Sequence, residues 1–315
     1  MLHVSFQTSF TAVAQIFAVG AVGFFLVKRR LLNQESLKLL SVLSINVSFP
    51  FFIFNRIISN FDPVLQPHWW QFPFINVGLV MTGILVAGSI AFFSRRKQPR
   101  EWTAASVFHN AGYIPLLFIT MLPGDQPKVL YPYVLLTILG FDTCLWSIGV
   151  WLVAYHRKAT ITWRNFINPP LIAMFTALIF VLLGWKGFFP DLVLKPVRII
   201  GDSALALAIL TIGGNLALTS FKEFQWKDVM GAVSLKLLLL PVLALILLRF
   251  VPVESTFGFI LILQACMPTS ITLSVIARYS DSPNQDFLNQ VIFLTHLLCI
   301  LTIPIFLSLY DHLIH

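Results

Sequence analysis

Two polar stretches interrupt apolar sequence and are the strongest candidates for binding chemistry. The first is Phe108–Pro115, with sequence FHNAGYIP, and the second is Gln264–Ser270, with sequence QACMPTS. A proline inside a membrane helix removes a hydrogen bond and frees a carbonyl group, which is tolerated where protein or a water-filled cavity satisfies it. Matched breaks in two halves of a membrane protein are typical of a transporter's substrate site.

The residue types around both breaks suit a small organic anion. A helix that restarts after a break presents free N–H groups and a partial positive charge. Hydroxyl groups follow Pro268, amide side chains precede both prolines, and a glycine allows close approach of the backbone. The alternative is that each proline only kinks its helix. The predicted binding residues are Asn46, Asn110, Gly112, Tyr113, Pro115, Asn215, Gln264, Pro268, Thr269 and Ser270.

Ionisable residues inside apolar sequence are further candidates, for coupling to an ion. Asp142 lies 27 residues after Pro115, and Thr295, which is next to His296, lies 27 residues after Pro268. These groups could form a proton-coupling pair, or they could be structural hydrogen-bonding groups. The two asparagines above, Asn46 and Asn215, have a comparable alternative, hydrogen bonding between helices.

Three more charged residues have simple structural explanations. Lys236 lies two turns inside its apolar run, so its long side chain could snorkel to the membrane surface, pair with an acid or attract anions. Arg56 lies close enough to a helix end to snorkel. Asp202 precedes Ser203 at the predicted start of a span, which favours helix capping over ion coordination.

Composition identifies an integral membrane protein. Only 11% of the 315 residues are charged and 57% are hydrophobic, whereas about a quarter of a soluble domain is charged. The net charge of +8 lies in short clusters between apolar runs, which argues against nucleic-acid binding. Cys144, Cys266 and Cys299 have no metal-ligand spacing, so neither a metal site, a disulfide nor a cofactor is predicted. No basic residue precedes the first run, which is therefore expected to be a span rather than a signal peptide.

Ten apolar runs have the length needed to cross a bilayer. They are Thr8–Val27, Leu37–Ile58, Trp70–Phe93, Trp102–Leu122, Val129–Tyr155, Pro169–Phe189, Val197–Ser220, Val229–Val251, Thr256–Tyr279 and Phe287–Tyr310. Most Lys and Arg residues follow odd-numbered runs, as in Lys28–Arg30, Arg95–Lys97 and Arg157–Lys158. The positive-inside rule therefore places both termini outside the cell membrane.

Division of the ten spans gives two five-helix repeats of opposite orientation. An odd number of spans per half inverts the second half, and the breaks fall in the fourth and ninth spans. The polar connection around Thr160–Asn168 separates a first repeat, residues 1–159, from a second, residues 160–315. The predicted fold is all-α, with crossing broken helices 4 and 9.

Several segments resemble the auxin efflux carrier family of plants and its bacterial relatives. These are Gln264–Ser270, Ile276–Ser280, Leu301–Pro304, Ile200–Leu218 and Leu235–Pro241. The resemblance covers essentially the whole chain. It implies two inverted repeats as in NhaA and bile-acid symporters, crossing at the helix breaks, elevator-like movement, and carboxylate substrates.

The resemblance also carries over three residues to the crossing motif, Asn110, Pro115 and Pro268. The five-residue spacing from Asn110 to Pro115 matches the plant branch, whereas many bacterial dicarboxylate carriers have a longer spacing. Ala206 stands where the family often has proline. Both departures argue against a dicarboxylate substrate.

These observations together predict a secondary transporter that exports small organic anions, driven by the membrane potential. One alternative is a sodium- or proton-coupled importer similar to bile-acid symporters, and another is a membrane sensor built on a transporter fold. An intramembrane enzyme using His109 or His296 is disfavoured because no HExxH or Gly-x-Ser-x-Gly motif is present. The expected partners are the organic anion and the lipid bilayer, with a homodimer as one option for assembly.

Overall fold

The computed structural model describes residues 5–155, 168–219, 221 and 224–314, which form helices joined by short connections. Within these ranges the only strand-like pairing is a single antiparallel bridge between His109 and Thr269. The helices are α1 (Phe6–Lys28), α2 (Gln34–Asn60), α3 (Trp69–Phe93), α4 (Pro99–Val107), α5 (Tyr113–Thr120), α6 (Gln126–Val153), α7 (Pro169–Leu182), α8 (Asp191–Ala217), α9 (Trp226–Phe250), α10 (Ser255–Ala265), α11 (Thr272–Tyr279) and α12 (Gln285–Ile314).

Seven helices of the described ranges are long and apolar enough to cross a bilayer, namely α1, α2, α3, α6, α8, α9 and α12. This confirms the prediction of an all-α, multi-pass membrane protein. The helices α7 and α10 are apolar but shorter. The predicted fourth span is divided into α4 and α5, and the predicted ninth into α10 and α11. The inverted repeat of ten spans stays a prediction.

Two predicted boundaries are wrong for local reasons. The sixth span ends early because Gly184 adopts a left-handed conformation with φ of 73°, which terminates α7. The seventh begins earlier than Val197, since α8 starts at Asp191. Pro196 lies inside α8, and the helix continues on both sides of it. The predicted boundary between the halves, at residues 159 and 160, lies outside the described residues.

Glycines allow α1 and α8 to approach within backbone contact. A Cβ atom built on Gly213 of α8 would overlap the carbonyl group of Gly20 in α1, and one built on Gly23 would overlap the carbonyl group of Leu210. Small residues are the usual means of close helix packing in membranes, because lipid provides no hydrophobic drive for association. The α1–α8 contact therefore depends on the absence of side chains at these positions.

The helices can be divided into two groups, which contact each other through α1 with α12 and through α2 with α6. In the first group, α8 packs against α1 and α2, and α2 packs against α7. In the second group, α3 packs against α4 and α6, while α12 packs against α9, α10 and α11. Contacts of α4 with α9 and of α3 with α10 join the two halves of the second group. The helices α4, α10 and α11 belong to this second group, whereas α5 contacts α6 of the second group and also α1 and α8 of the first.

A polar contact fastens the α3–α4 connection to the start of α9. The Arg96 guanidinium donates to the Asp228 carboxylate at 2.8 Å and lies 4.9 Å from the centre of the Trp102 ring. The Trp102 indole N–H donates to the Asp228 carbonyl oxygen at 2.9 Å. The Arg96 and Asp228 side chains are 19% and 14% exposed, so the ion pair is largely shielded from water.

Replacing Arg96 with alanine is expected to lower the free energy of unfolding by about 1–3 kcal/mol, because the partly buried Asp228 loses its charged donor. The measurement is the unfolding temperature in detergent micelles. Lys128→Ala is the matched control, since its ion pair with Asp125 has side chains that are 71% and 83% exposed. Loss of an exposed pair is worth at most about 1 kcal/mol. Equal effects of the two variants would contradict the assignment.

Candidate functional site

The two interruptions between α4 and α5 and between α10 and α11 cross each other at a short antiparallel contact. The Asn110 N–H donates to the Pro268 carbonyl oxygen, and the Ser270 N–H donates to the Phe108 carbonyl oxygen, both at 2.8 Å. The bridge between His109 and Thr269 lies between these two bonds. Each break thus satisfies backbone groups that the other leaves without an intrahelical partner, as burial in a membrane requires.

The two breaks make equivalent hydrogen bonds at the crossing. Each break supplies one carbonyl acceptor and, two residues later, one N–H donor: Phe108 and Asn110 on one side, Pro268 and Ser270 on the other. The flanking helices also correspond, because α5 and α11 are both eight residues long. The interval from Phe108 to Pro268 equals that from Asn110 to Ser270.

The structure corrects the expected role of Pro115. Pro268 lies in the second break itself, but α5 restarts at Tyr113, before Pro115 rather than after it. Pro115 therefore occupies the first turn of α5, where its missing N–H group has no intrahelical acceptor to lose. Counted from the crossing residues, Asp142 corresponds to Thr302 and not to Thr295.

A network of amides supports the first break. The Gln264 side-chain amide donates to the Ala111 carbonyl oxygen at 3.1 Å and to the Thr137 hydroxyl at 2.9 Å. The Asn76 amide donates to the Thr137 carbonyl oxygen at 3.0 Å and accepts from the His109 ring at 3.1 Å. Gln264, Asn76 and Thr137 are all fully buried, so α3, α6 and α10 together fix the backbone of this break.

Threonine hydroxyls support the second break. The Thr269 N–H donates to the Thr295 hydroxyl at 3.2 Å, and the Thr269 hydroxyl donates to the Ala105 carbonyl oxygen at 2.8 Å. The Ser270 hydroxyl accepts from the Thr272 N–H at 3.3 Å at the start of α11. The hydroxyl groups of Thr269 and Ser270 thus shape the break, in addition to the ligand contacts predicted for them.

Comparison with known proteins identifies the family. A family model described as "Membrane transport protein" matches residues 8–160 and 157–307, which is nearly the whole chain. The chain belongs to this membrane transport family. The match confirms the resemblance to auxin efflux carriers, and it favours transport over catalysis. An "Uncharacterized transporter" of Methanothermobacter thermautotrophicus is 23% identical over 313 residues, covering 95% of this chain and 98% of that protein.

In this transport protein, the start of α5 faces the first group of helices. The Tyr113 ring packs against Phe49 of α2, with ring centres 4.8 Å apart. A Cβ atom added to Gly112 would lie 3.3 Å from Ile138 and 3.7 Å from Phe49, so this part of the break has little spare room. Phe49 directly follows a π-helical turn of α2, Ser44–Ser48, a local irregularity often found at functional sites.

Asp142 lies on the same side of the transport protein as Tyr113. It is half-buried in α6, within electrostatic range of Tyr113 and of Asn168, the residue that caps α7. The sequence predicts a coupling role for this carboxyl group. That role stays a prediction.

Lys236 does not snorkel in this transport protein. Lys236 is only 1% exposed and lies in a π-helical turn of α9, Leu235–Leu239. This turn packs against α4 and α12, so the buried side chain lies within the second group of helices. The position of Lys236 deep in an apolar run could be read from the sequence. The direction of its side chain could be read only from the fold.

Asp202 and Arg56 have a different arrangement from the one predicted. Asp202 lies well inside α8, so it does not cap the helix. Instead it accepts from Arg56 of α2 at 2.8 Å and from Arg198 at 3.4 Å. The Arg56 guanidinium also lies 4.8 Å from the centre of the Tyr131 ring in α6. Arg56 consequently links three helices rather than snorkelling.

The remaining predicted site residues lie apart from the crossing hydrogen bonds. Asn46 is exposed on α2, and Asn215 is partly exposed on α8. His296 is 2% exposed and donates from Nδ1 to the Ile292 carbonyl oxygen of its own helix at 2.8 Å. Sequence analysis missed Asn76 and Thr137, although an asparagine inside the third apolar run is the same kind of signal as Asn46.

Proposed function

We propose that the protein is a secondary transporter of small organic anions, specifically carboxylates, which bind at the crossing. The observation that carries this proposal is the meeting of two helix starts, α5 and α11, directly beside the crossing bonds. Helix starts carry partial positive charge and free N–H groups, which suit an anion. The neutral amide of Asn110 and the hydroxyl of Ser270 add donors without adding charge.

The equivalent bonding of the two breaks supports an inverted repeat of ten spans. In such a repeat, residues 1–159 and 160–315 are the two halves, and α4 with α5 and α10 with α11 are the broken fourth and ninth spans. Transporters with this architecture place the substrate near the bilayer midplane. We also propose that both termini lie outside the cell membrane, as the distribution of Lys and Arg residues indicates.

The two packed groups of helices support an elevator-type mechanism. The group α1, α2, α7 and α8 would serve as the scaffold, because glycine contacts hold α1 tightly against α8. The group around the crossing would carry the substrate. Tyr113 and Phe49 meet between the two groups, so substrate bound at the start of α5 would lie against the scaffold.

Export follows from the charge of the substrate. Outward movement of one negative charge releases about 2.3 kcal/mol per 100 mV of a negative-inside potential. This is sufficient to drive export without a second ion. Proton coupling through Asp142 would add to this driving force.

Replacing Asn110 with alanine is expected to reduce potential-driven carboxylate flux at least about tenfold, since a donor beside the crossing is lost in a site that excludes water. The assay uses proteoliposomes with an imposed potential and labelled malate, malonate and indole-3-acetate. Asn60→Ala is the control, because the Asn60 side chain only donates to the Arg56 carbonyl oxygen in its own helix.

Each outcome of this assay separates the proposal from its alternatives. Potential-driven flux that Asn110→Ala abolishes and Asn60→Ala preserves supports an anion exporter. Flux that requires a sodium gradient would favour an importer similar to bile-acid symporters. Carboxylate binding without flux, under potential, sodium and proton gradients alike, would indicate a sensor and contradict transport.

A further inference from the structure

Lys236 is a buried charge at the centre of the second helix group. Its π-helical turn in α9 packs against α4 and α12, and its residue is 1% exposed. The same two helices supply the groups that bond to Thr269 in the second break, Ala105 of α4 and Thr295 of α12. The fold therefore places Lys236 beside the helices that support the crossing.

No hydrogen bond or ion pair joins the Lys236 ammonium to another residue in the described ranges. An ammonium group taken out of water without a partner costs several kcal/mol. A residue with this cost is expected where a ligand of opposite charge binds.

The two arms of the crossing differ at this position. Asn76 and His109 are separated by the same interval as Lys236 and Thr269, the residues that correspond to them in the second half. Asn76 is neutral and bonds directly to His109 at 3.1 Å, which closes the first arm. Thr269 is held by Thr295 and Ala105 instead, so Lys236 stays available. The charge thus belongs to one arm alone.

We propose that Lys236 supplies the positive charge that compensates a single carboxylate of the substrate bound at the crossing. This inference rests on the proposed function and narrows its substrate class to monocarboxylates. One fixed ammonium group neutralises one carboxylate, while a second carboxylate would remain without a countercharge in a site that excludes water. Uncharged analogues such as amides would gain nothing from Lys236 and would therefore bind more weakly than the acid.

A ligand-binding role and a purely structural role of Lys236 predict opposite effects of its replacement on stability. If Lys236 awaits an anion, replacing it with methionine removes an unpaired buried charge and raises the unfolding temperature of the empty protein. If Lys236 holds the fold together, the same change lowers that temperature. Methionine is suitable because it has a similar length and adapts to irregular packing.

The experiment measures the unfolding temperature of the full-length protein with indole-3-acetate, indole-3-acetamide or malonate. In the wild type, indole-3-acetate is expected to raise the temperature more than malonate does, and the amide is expected to have no effect. In Lys236→Met the empty protein is more stable, and the half-saturating concentration of indole-3-acetate rises at least about tenfold. Lys236→Arg keeps the charge and most of the affinity, and Lys195→Met, which alters an exposed lysine, matches the wild type.

Flux of the same compounds in proteoliposomes completes the test if a variant folds poorly. Wild-type carboxylate transport together with an unchanged half-saturating concentration in Lys236→Met would contradict the role of Lys236 and leave the proposed function intact. Wild-type transport of indole-3-acetamide at the rate of indole-3-acetate would also contradict the role of Lys236 and leave the proposed function intact. A wild type that transports none of the carboxylates would contradict the proposed function, and this inference with it.

Discussion

The variant Gly213→Val is expected to lose about 3 kcal/mol or more of its stability, because the new side chain overlaps the backbone of α1. The carbonyl group of Gly20 lies where the Cβ atom would be, and backbone cannot move aside as a flexible side chain can. The helices α1 and α8 must therefore separate. The expected observation is a large fall in the unfolding temperature and a loss of monodisperse protein in detergent.

Gly78→Val is the matched control for this prediction. Gly78 lies inside α3, is exposed, and has no atom within 4 Å of an added Cβ. The substitution is the same and the helix is equally apolar, but the new methyl groups enter open space. A fall in unfolding temperature of equal size in the two variants would show that helix propensity, and not contact with α1, determines the effect.

The variant Gln264→Leu is expected to lose transport almost completely and about 2–4 kcal/mol of stability. Leucine fills a similar volume but leaves the Ala111 carbonyl oxygen and the Thr137 hydroxyl without their common donor. Both groups are buried, so water does not replace the missing bonds. Without Gln264 the backbone of the first break is no longer fixed relative to α6.

Comparison with Thr137→Val and with the double variant tests whether Gln264 acts through this network. Residues that share a hydrogen bond show non-additive effects, whereas independent residues add within about 0.5 kcal/mol. The measurements are unfolding temperature and flux of the best carboxylate. Strict additivity in both, or a Gln264→Leu variant with wild-type flux, would contradict a role for Gln264 in shaping the crossing.

Different residues at the crossing are proposed to fix the backbone and to recognise the anion. Hydrogen bonds between the breaks, together with Gln264, Asn76 and Thr269, fix the backbone in position. Recognition of an anion then falls to the helix starts and to Lys236. Gln264 is thus expected to affect stability and transport together, while Lys236→Met is expected to weaken binding and increase stability. Opposite effects on stability from two neighbouring residues would distinguish positioning of the site from recognition of its ligand.

The sequence by itself determined the class of protein and the place of the candidate site. Hydropathy depends on local composition, so the long apolar helices, the membrane class and the two polar breaks were all predictable, and the family resemblance was confirmed. Helix ends were less predictable, since Gly184 ends α7 through its own backbone conformation, whereas Pro196 lies inside α8 without ending it.

Only the tertiary structure decided which residues meet. The pairing of Asn110 with Pro268, the Asn76–His109 contact and the pairing of Arg56 with Asp202 each join residues far apart in the chain. A hydropathy pattern contains no information about partners, so Asp202 was predicted as a cap, and snorkelling, pairing with an acid and attraction of anions all stayed open for Lys236. The direction of a long side chain depends on which neighbouring helix covers it. For Lys236 that cover is provided by α4 and α12, the helices that support the crossing.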